Sequence, residues 1–439
     1  MPTLVESGPH IVVVGLGYIG LPTAAILATH GARVTGVDTN PATVAAVNQG
    51  RVPFVERDLE ASVAGAVSQG RLVAMGTPPE ADVYIIAVPT PLTDGHRADL
   101  SYVNAAADSI ATCLRGDELV ILESTSPPGT TQHLADRILQ ARPDLSADGF
   151  DGRPIVDFAH CPERVLPGRV MGELVTNDRV IGGLSERAGI RAQCVYRIYC
   201  QGELPLTDAT TAEMVKLAEN SFRDVNIAFA NELATISGHV GVDVWELIGL
   251  ANRHPRVEIL EPGPGVGGHC IAVDPWFLVE AAPAQAQLIR TARDVNDGRP
   301  GKVVDRVLEE AALFNSPRIA ALGLAFKSDI DDLRESPARR IVGEVCRRLP
   351  RGQILVVEPH ISELPPELEA MPNAELCELN SAVATADIVL LLVSHQAFRQ
   401  VGLLVADGEH PIVIDTRGVW RHQYSSASGT GAESISSRG

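Results

Sequence analysis

The sequence predicts an α/β protein in which two domains with parallel sheets are joined by a central helical segment. Three observations predict it: apolar β-branched runs alternate with helical stretches at first, one long helical pattern then replaces them, and the alternation finally returns. Such alternation indicates parallel strands with helices on both faces, as in Rossmann-like domains. We expect domains at 1–205, 206–312 and 313–422, followed by a small, polar, disordered tail at 423–439.

The composition indicates a globular protein with an acidic surface. The chain has 439 residues, 45% of them hydrophobic, and its 36 Lys and Arg against 55 Asp and Glu give a net charge of −19. No stretch resembles a secretory signal or a membrane span, and the seven cysteines show no disulfide or zinc spacing. We therefore expect a cytoplasmic protein with no nucleic-acid or membrane partner, in which an anionic substrate needs a local cationic pocket.

The first element is a strand, a glycine turn, a helix and a second strand over residues 10–38. Gly15, Gly17 and Gly20 form a GxGxxG pattern, in which the glycines allow a tight turn, the approach of a pyrophosphate and close helix–strand packing. Asp38 ends the second strand, where a carboxylate accepts ribose hydroxyls and repels a 2′-phosphate. This predicts an NAD site, and the alternative is a glycine turn without a cofactor.

The remaining strands are predicted from short apolar runs. These runs lie at 83–88, 119–124 and 156–161 in the first domain and at 319–326, 353–359, 386–393 and 411–418 in the last domain.

Between the two sets of strands, residues 209–249 predict one long helix. Apolar residues recur along it every three or four positions, at Val215, Ala218, Phe222, Val225, Phe229 and Leu233. Lys216 and Asn220 lie on the opposite face, and Arg223 and Asn231 continue that polar stripe. The stripe is either a solvated helix face or the support for a developing oxyanion.

Residues 263–277, GPGVGGHCIAVDPWF, set Cys270 directly behind a glycine-rich turn. If a helix begins near Cys270, its positive end lowers the pKa of the thiol, and Asp274 shares that face one turn later. His269 either polarises the thiol or faces solvent. The alternative for the whole stretch is a glycine turn followed by a core cysteine.

The chain resembles the UDP-glucose/GDP-mannose dehydrogenase family over nearly its whole length. The matching stretches, in order, are GLGYIGLP, VPTP, ESTSPPGTT, CPER, KLAENSFRDVNIAFANE, GPGVGGHCIAVDP and GLAFKSDIDDLRESP. The stretches PGPGVGGHCIAVDPWF and NRHPRV look most like the branch that oxidises UDP-N-acetylmannosamine. Pro167 supports that branch, because the UDP-glucose enzymes usually have a second glutamate at this position.

The resemblance implies that a C6 alcohol is oxidised twice with two NAD, without release of the aldehyde. Cys270 would capture the aldehyde as a thiohemiacetal, and water would hydrolyse the resulting thioester. Lys216 would stabilise the C6 oxygen and help to move its proton, and Asn220 would hold the same oxygen or the water. This chemistry serves the synthesis of polysaccharide precursors.

The other site residues are also implied by the resemblance. Asp274 would act as a base or orient the water, Thr125 would position the water, and Glu163 would be the general base of hydrolysis or a substrate contact. The expected cofactor-binding residues are Gly15, Gly17, Tyr18, Ile19, Gly20, Asp38, Pro89, Thr90, Thr125 and Arg334. The expected substrate-binding residues are Glu163, Arg164, Val165, Lys216, Asn220, Arg223, His254, Arg256, Gly267 and Lys327.

No metal is expected, although Asp329, Asp331, Asp332 and Glu335 form an acidic cluster that could suggest one. The resemblance further implies a UDP-N-acetylhexosamine substrate, an active site in the cleft between the two α/β domains, and a homodimer or higher oligomer formed through the central helices. Four alternatives stay open: a UDP-N-acetylglucosamine dehydrogenase, a UDP-glucose dehydrogenase, a catalytically silent nucleotide-binding regulator and a hydroxyacyl dehydrogenase.

Overall fold

The computed structural model describes residues 8–54, 56, 58–166, 168–268, 270–401 and 411–420. The predicted tail at 423–439, His269 and Pro167 lie outside these residues. The chain divides into two compact units. The first unit runs to Asn220 and includes Trp276–Ala286, and the second contains Ser221–Pro275 and the residues from Gln287 onwards.

The first unit is built on an eight-stranded sheet with the order β3-β2-β1-β4-β5-β6-β7-β8. Its strands are β1 His10–Val14, β2 Arg33–Val37, β3 Leu72–Met75, β4 Val83–Ile86, β5 Leu119–Leu122, β6 Asp157–His160, β7 Ile181–Gly183 and β8 Leu206–Asp208. Its helices are α1 Gly20–Thr29, α2 Pro41–Asn48, α3 Leu59–Ser68, α4 Ser101–Ala111, α5 Thr130–Ala141, α6 Val170–Thr176 and α7 Glu186–Tyr196.

Both faces of this sheet are covered, as its continuous apolar strands predict. Ile11 and Val13 join the core on one face, while Val12 and Val14 join the core on the other. The parallel fold is confirmed with one exception, since β6 and β7 pair antiparallel. Strand β7 has only three residues, two of them glycine, so it carries too little apolar pattern to be predicted.

Three helices follow: α8 Ala209–Val240, α9 Val244–Ala251 and α10 Asp274–Ala281. The prediction of one uninterrupted helix to residue 249 is wrong, because the chain turns at Gly241, whose φ is +74°. Helix α9 then starts afresh, with the Asp243 carboxylate accepting the amides of Trp245 and Glu246 at 2.8 Å.

For α8, the alternative of a solvated polar stripe is wrong at Lys216 and Asn231, and the recurring apolar positions are not the buried face. Phe222 is 72% exposed and Phe229 is 50% exposed, whereas Lys216 and Asn231 on the polar stripe are buried. The pattern misled because buried carboxylates and amides partner the stripe, so its polar groups are satisfied away from water.

The second unit contains an all-parallel five-stranded sheet with the order β11-β10-β9-β12-β13. Its strands are β9 Arg318–Leu322, β10 Gln353–Val357, β11 Ala374–Leu376, β12 Ile388–Leu391 and β13 Ile412–Asp415. The helices beside it are α11 Gln287–Ala311, α12 Pro337–Arg348, α13 Pro366–Glu369 and α14 Leu379–Thr385. Among the described helices, none combines the length and the apolar character that crossing a membrane requires.

Candidate active site

The glycine turn after β1 is shaped by two close backbone approaches. Gly15 has a φ of +97°, and a Cβ there would lie 2.5 Å from the Ala87 carbonyl oxygen. A Cβ on Gly20, the first residue of α1, would lie 1.8 Å from the Gly15 oxygen. Gly17 is different, because a Cβ there would meet nothing within 4 Å. Gly15 and Gly20 therefore allow the packing, while Gly17 leaves space beside the positive end of α1, where phosphates bind.

Asp38 lies at the end of β2 with a fixed carboxylate. Its Oδ2 accepts the Leu16 amide at 3.0 Å, and its Oδ1 accepts the Asn40 amide at 2.8 Å. Each oxygen keeps a second lone pair that can accept a ribose hydroxyl. The other predicted residues of the turn are Tyr18, which stacks on Phe54 with ring centroids 4.2 Å apart, and the half-buried Ile19.

The loops after β4 and β5 are tied to each other at the carboxyl edge of the sheet. Thr90 Oγ donates to the Thr125 carbonyl, and Ser124 Oγ donates to the Val88 carbonyl at 2.7 Å. Pro89 lies between the bonded positions. The sheet order reverses between β1 and β4, and ligands bind at such a switch point in doubly wound folds.

Two neighbouring ion pairs join the segment after β6 to α8. Lys216 Nζ lies 3.3 Å from Glu163 Oε1, and both side chains are only 8% exposed. Arg164 pairs with Glu219 on the next turn at 2.6 Å. The Val165 amide holds the second Glu163 oxygen at 2.8 Å. The structure thus brings together a buried cation and a buried carboxylate, a combination that can support an oxyanion and transfer a proton.

A buried network that the sequence interpretation missed surrounds Glu123. Glu123 Oε1 accepts Arg179 Nη1 at 3.0 Å and the Tyr196 hydroxyl at 3.3 Å, and its Oε2 accepts Thr23 Oγ on α1 at 3.0 Å. Burial raises the pKa of Glu123, and Arg179 opposes that rise. The available signal was a glutamate directly after the apolar run of β5, a position where a charge needs a buried partner.

Cys270, which belongs to the second unit, is exposed, whereas Cys161, Cys200 and Cys346 are buried. The alternative of a core cysteine is therefore excluded. The predicted helix does not begin at Cys270: a turn covers 271–273, and α10 begins at the buried Asp274. The Cys270 carbonyl accepts the amides of Val273 at 3.0 Å and Asp274 at 2.8 Å, so the backbone of the thiol is held one turn before the helix.

The glycines before Cys270 pack against the segment that carries Lys327 and Arg334. A Cβ on Gly267 would lie 2.6 Å from the Glu335 carbonyl oxygen, and one on Gly268 would lie 3.1 Å from the Phe326 ring. Lys327 is exposed, and the exposed Arg334 donates to Asp332 at 2.6 and 2.8 Å. The structure thus places the thiol turn and the predicted substrate-binding lysine segment side by side.

Three predicted substrate contacts lie in exposed positions. Arg223 is exposed on α8, and His254 and Arg256 are exposed in the turn after α9, where His254 Nδ1 accepts the Arg256 amide at 3.3 Å. Their role stays a prediction.

In the acidic 329–335 segment, Asp329 and Asp332 bond to neighbouring parts of the loop region. Asp329 Oδ1 lies 3.7 Å from His395 Nδ1 and 4.0 Å from His360 Nε2, a grouping of the kind that can hold a metal. However, His395 Nδ1 accepts the Asp329 amide at 2.9 Å, and its Nε2 lies 3.1 Å from Glu358. Burial favours a higher pKa for Glu358, but its hydrogen bonds with His395 and with backbone amides hold that pKa below the usual value. Both ring nitrogens of His395 are therefore engaged in hydrogen bonds, and the group of Asp329, His360 and His395 supports the loop.

The chain matches three domains of one family. Residues 9–200 match the NAD binding domain of the UDP-glucose/GDP-mannose dehydrogenase family, residues 210–298 match its central domain, and residues 320–422 match its UDP binding domain.

Individual relatives match over nearly their whole length. The NDP-N-acetyl-D-galactosaminuronic acid dehydrogenase of Ralstonia nicotianae is 55% identical over 93% of this chain and 96% of its own. The UDP-N-acetyl-D-mannosamine dehydrogenase of Salmonella typhi is 52% identical over 94% and 99%. The structure of the UDP-D-ManNAc dehydrogenase from Pyrococcus horikoshii superposes with a TM-score of 0.83 at 38% identity, over 93% and 96% of the two chains. The chain therefore belongs to the UDP-glucose/GDP-mannose dehydrogenase family and is an NAD-dependent UDP-sugar dehydrogenase, an oxidoreductase.

Proposed function

We propose that this enzyme oxidises the C6 alcohol of UDP-N-acetyl-D-mannosamine to the uronic acid through covalent intermediates on Cys270. The observation that carries the proposal is the exposed thiol on a glycine turn whose backbone is held by the start of α10. An exposed thiol in such a turn is accessible to a substrate carbonyl, and sulfur is both a good nucleophile and a good leaving group.

The reaction balances as two oxidations and one hydrolysis. The first oxidation converts the alcohol to an aldehyde, and the Cys270 sulfur adds to the aldehyde carbon to form a thiohemiacetal. The second oxidation converts the thiohemiacetal to a thioester, and water cleaves the C–S bond to release the carboxylate and the free thiol. One alcohol, one water and two NAD⁺ give one carboxylate, two NADH and three protons.

In this proposal, the buried Lys216–Glu163 pair of the first unit stabilises charge and transfers protons. Lys216 stabilises the negative charge that develops on the C6 oxygen, and Asn220, one turn further along α8, holds the same oxygen or the water. Glu163 accepts a proton in hydrolysis, and Thr125 and Asp274 position the water. Lys216 Nζ lies 3.3 Å from Glu163 Oε1, and this short separation supports a proton transfer that involves Glu163.

The glycine turn after β1, which lies in the NAD-binding domain of the family, suits NAD. The open space at Gly17 suits the pyrophosphate, and the spare lone pairs of Asp38 suit the adenosine ribose hydroxyls. Tyr18, Ile19, Pro89, Thr90 and Arg334 complete the proposed contacts. When bound, NAD accepts one hydride in each oxidation.

The relatives support a UDP-sugar that carries an acetamido group. Relatives are named for N-acetyl-D-mannosamine and for N-acetyl-D-galactosaminuronic acid at similar identity, so the acetamido group is their shared feature. The galactosamine sugar is a second candidate that the sequence interpretation did not consider. A site built for the acetamido group leaves buried polar groups unpaired with UDP-glucose, at about 1–3 kcal/mol for each group. UDP-glucose should therefore be about ten- to a hundredfold poorer in kcat/KM.

The test measures NADH per sugar with the UDP derivatives of N-acetylmannosamine, N-acetylgalactosamine, N-acetylglucosamine and glucose. We expect two NADH per N-acetylmannosamine and no free aldehyde. A higher kcat/KM with another sugar would correct the substrate alone, whereas one NADH per sugar would refute the role of Cys270. Cys270→Ser should lose turnover, with Cys194→Ser, at a second exposed thiol, as the matched control.

We also propose that α8 joins two copies of the chain. Four of its exposed apolar residues recur at intervals of seven, seven and four and form a stripe suited to packing against another helix, at Phe222, Phe229, Ile236 and Val240. The division at 1–205, 206–312 and 313–422 and the cytoplasmic location stay predictions.

A further inference from the structure

A buried polar cluster lies between α8 and α11 in the second unit. Arg293 Nη1 donates to Asp224 Oδ1 at 2.6 Å, and both side chains are at most 1% exposed. Asn296 donates to the same Asp224 oxygen at 2.8 Å and accepts from Asn231 at 2.9 Å. Arg293 Nη2 also pairs with Asp297, one turn further along α11. The cluster therefore links two helices through residues that are 65 or more positions apart in sequence.

The same cluster reaches both ends of the segment that carries Cys270. At the first end, Asn231 Oδ1 accepts the Gly263 amide at 2.9 Å, and Arg299 Nε donates to the Gly263 carbonyl at 3.0 Å. At the other end, Arg293 Nη1 donates to the carbonyl of Ile271, the residue after Cys270, at 3.4 Å. The two ends of the segment are thus tied to one set of buried side chains.

The segment between these ties needs external support. It contains three glycines, of which Gly265 and Gly268 have φ values of +147° and +83°, which few other residues adopt. Glycine-rich backbone has many alternative conformations, so holding it in one of them is entropically costly. Buried hydrogen bonds at both ends restrict the segment to one conformation, although Asp224 Oδ2 and Arg293 Nε within the cluster accept or donate no hydrogen bond among the described residues.

We propose that Arg293 and Asn231 are positioning residues that set the place of the Cys270 thiol. This inference rests on the proposed function, in which Cys270 is the nucleophile. Arg293 must be an arginine because its planar fork serves Asp224, Asp297 and the Ile271 carbonyl together, whereas a lysine presents one nitrogen. Displacement of a reacting group by about 1 Å costs about a hundredfold in rate.

The test uses Arg293→Lys, which keeps the charge beside Asp224, and Asn231→Ala, which removes one of the two hydrogen bonds that hold Gly263 and leaves the ion pair intact. Arg290→Lys is the matched control, because Arg290 is exposed one turn earlier on α11. The readouts are the iodoacetamide alkylation rate of Cys270 relative to the exposed Cys194, measured by peptide mass spectrometry without substrate, together with kcat, the KM for NAD and the melting temperature.

We expect both variants to change the Cys270-to-Cys194 alkylation ratio by threefold or more and to lower kcat by about ten- to a hundredfold, with the KM for NAD unchanged. The control should change neither. An unaltered alkylation ratio in both variants would overturn the proposal, whatever the melting temperature does, because it would leave only a structural role. Since alkylation needs no turnover, it tests positioning even if Cys270→Ser shows that the thiol is not catalytic.

Discussion

Arg179→Met should strongly destabilise the first unit, because it leaves the Glu123 carboxylate without its cation. Arg179 and Glu123 have side chains 2% and 0% exposed, and their nearest atoms are 3.0 Å apart. The guanidinium also lies over the Tyr196 ring, 4.7 Å from its centroid. Methionine retains much of the apolar packing, so the substitution removes mainly the charge and its hydrogen bonds.

The expected loss follows from this geometry. Removing one partner of a buried ion pair costs about 3–5 kcal/mol, and the stacked cation adds about 1 kcal/mol. The loss should also depend on pH. Burial already raises the pKa of Glu123, and without Arg179 that pKa rises further, so folding takes up a proton. Stability of the variant relative to the native protein should then fall as pH rises from 5.5 to 8.

The assay is urea unfolding at pH 5.5 and pH 8 of Arg179→Met, Glu123→Gln and the double variant. The double variant should lose less than the sum of the single losses, because no unpaired charge remains. Arg348→Met is the control, since its ion pair with Asp305 is exposed on both sides and contributes little. A loss for Arg179→Met no larger than the control, or an equal loss at both pH values, would refute the reasoning.

Three further predictions follow from single positions. Asp38→Ala should narrow the kcat/KM gap between NAD and NADP, because the repulsion of the 2′-phosphate is removed; equal use of NADP by the unaltered enzyme would contradict the site. Phe229→Asp should lower the mass measured by light scattering, while Leu288→Asp, also exposed, should not. Burial lowers the pKa of His160 from its ordinary value of 6.5 to about 3, so the folded protein binds fewer protons than the unfolded chain and stability falls as pH drops below about 6.5. His160→Phe should remove about 2 kcal/mol of the loss in unfolding free energy between pH 7.5 and pH 5, and an unchanged loss would contradict this.

Much of the fold could be predicted because its signals are local. Buried strands such as β1 and β9 are short apolar runs, and the GxGxxG turn lies within six residues. The close backbone approaches at Gly15 and Gly20 need a residue without a Cβ, and the residue type alone reveals this. The strands β7, β8 and β11 were not predicted, since three residues carry too little periodicity, and the four-residue edge strand β3 was also missed.

The faces of α8 could not be predicted from spacing. Periodicity marks Phe222 and Phe229 as one face, but it does not say whether that face meets the core or a second chain. The burial of Lys216 depends on Glu163, which is 53 positions away, and that partner exists only once β6 and α8 are packed.

By itself, the sequence determined the α/β class, the nucleotide turn and the identity of the thiol, because each depends on residue type and on contacts between near neighbours. Only the tertiary structure decided that Cys270 is exposed one turn before α10, and that Arg293, Asn231 and Gly263 share one buried cluster. The physical reason is that a buried charge or amide is stable only with its partner, and its partner comes from a distant part of the chain.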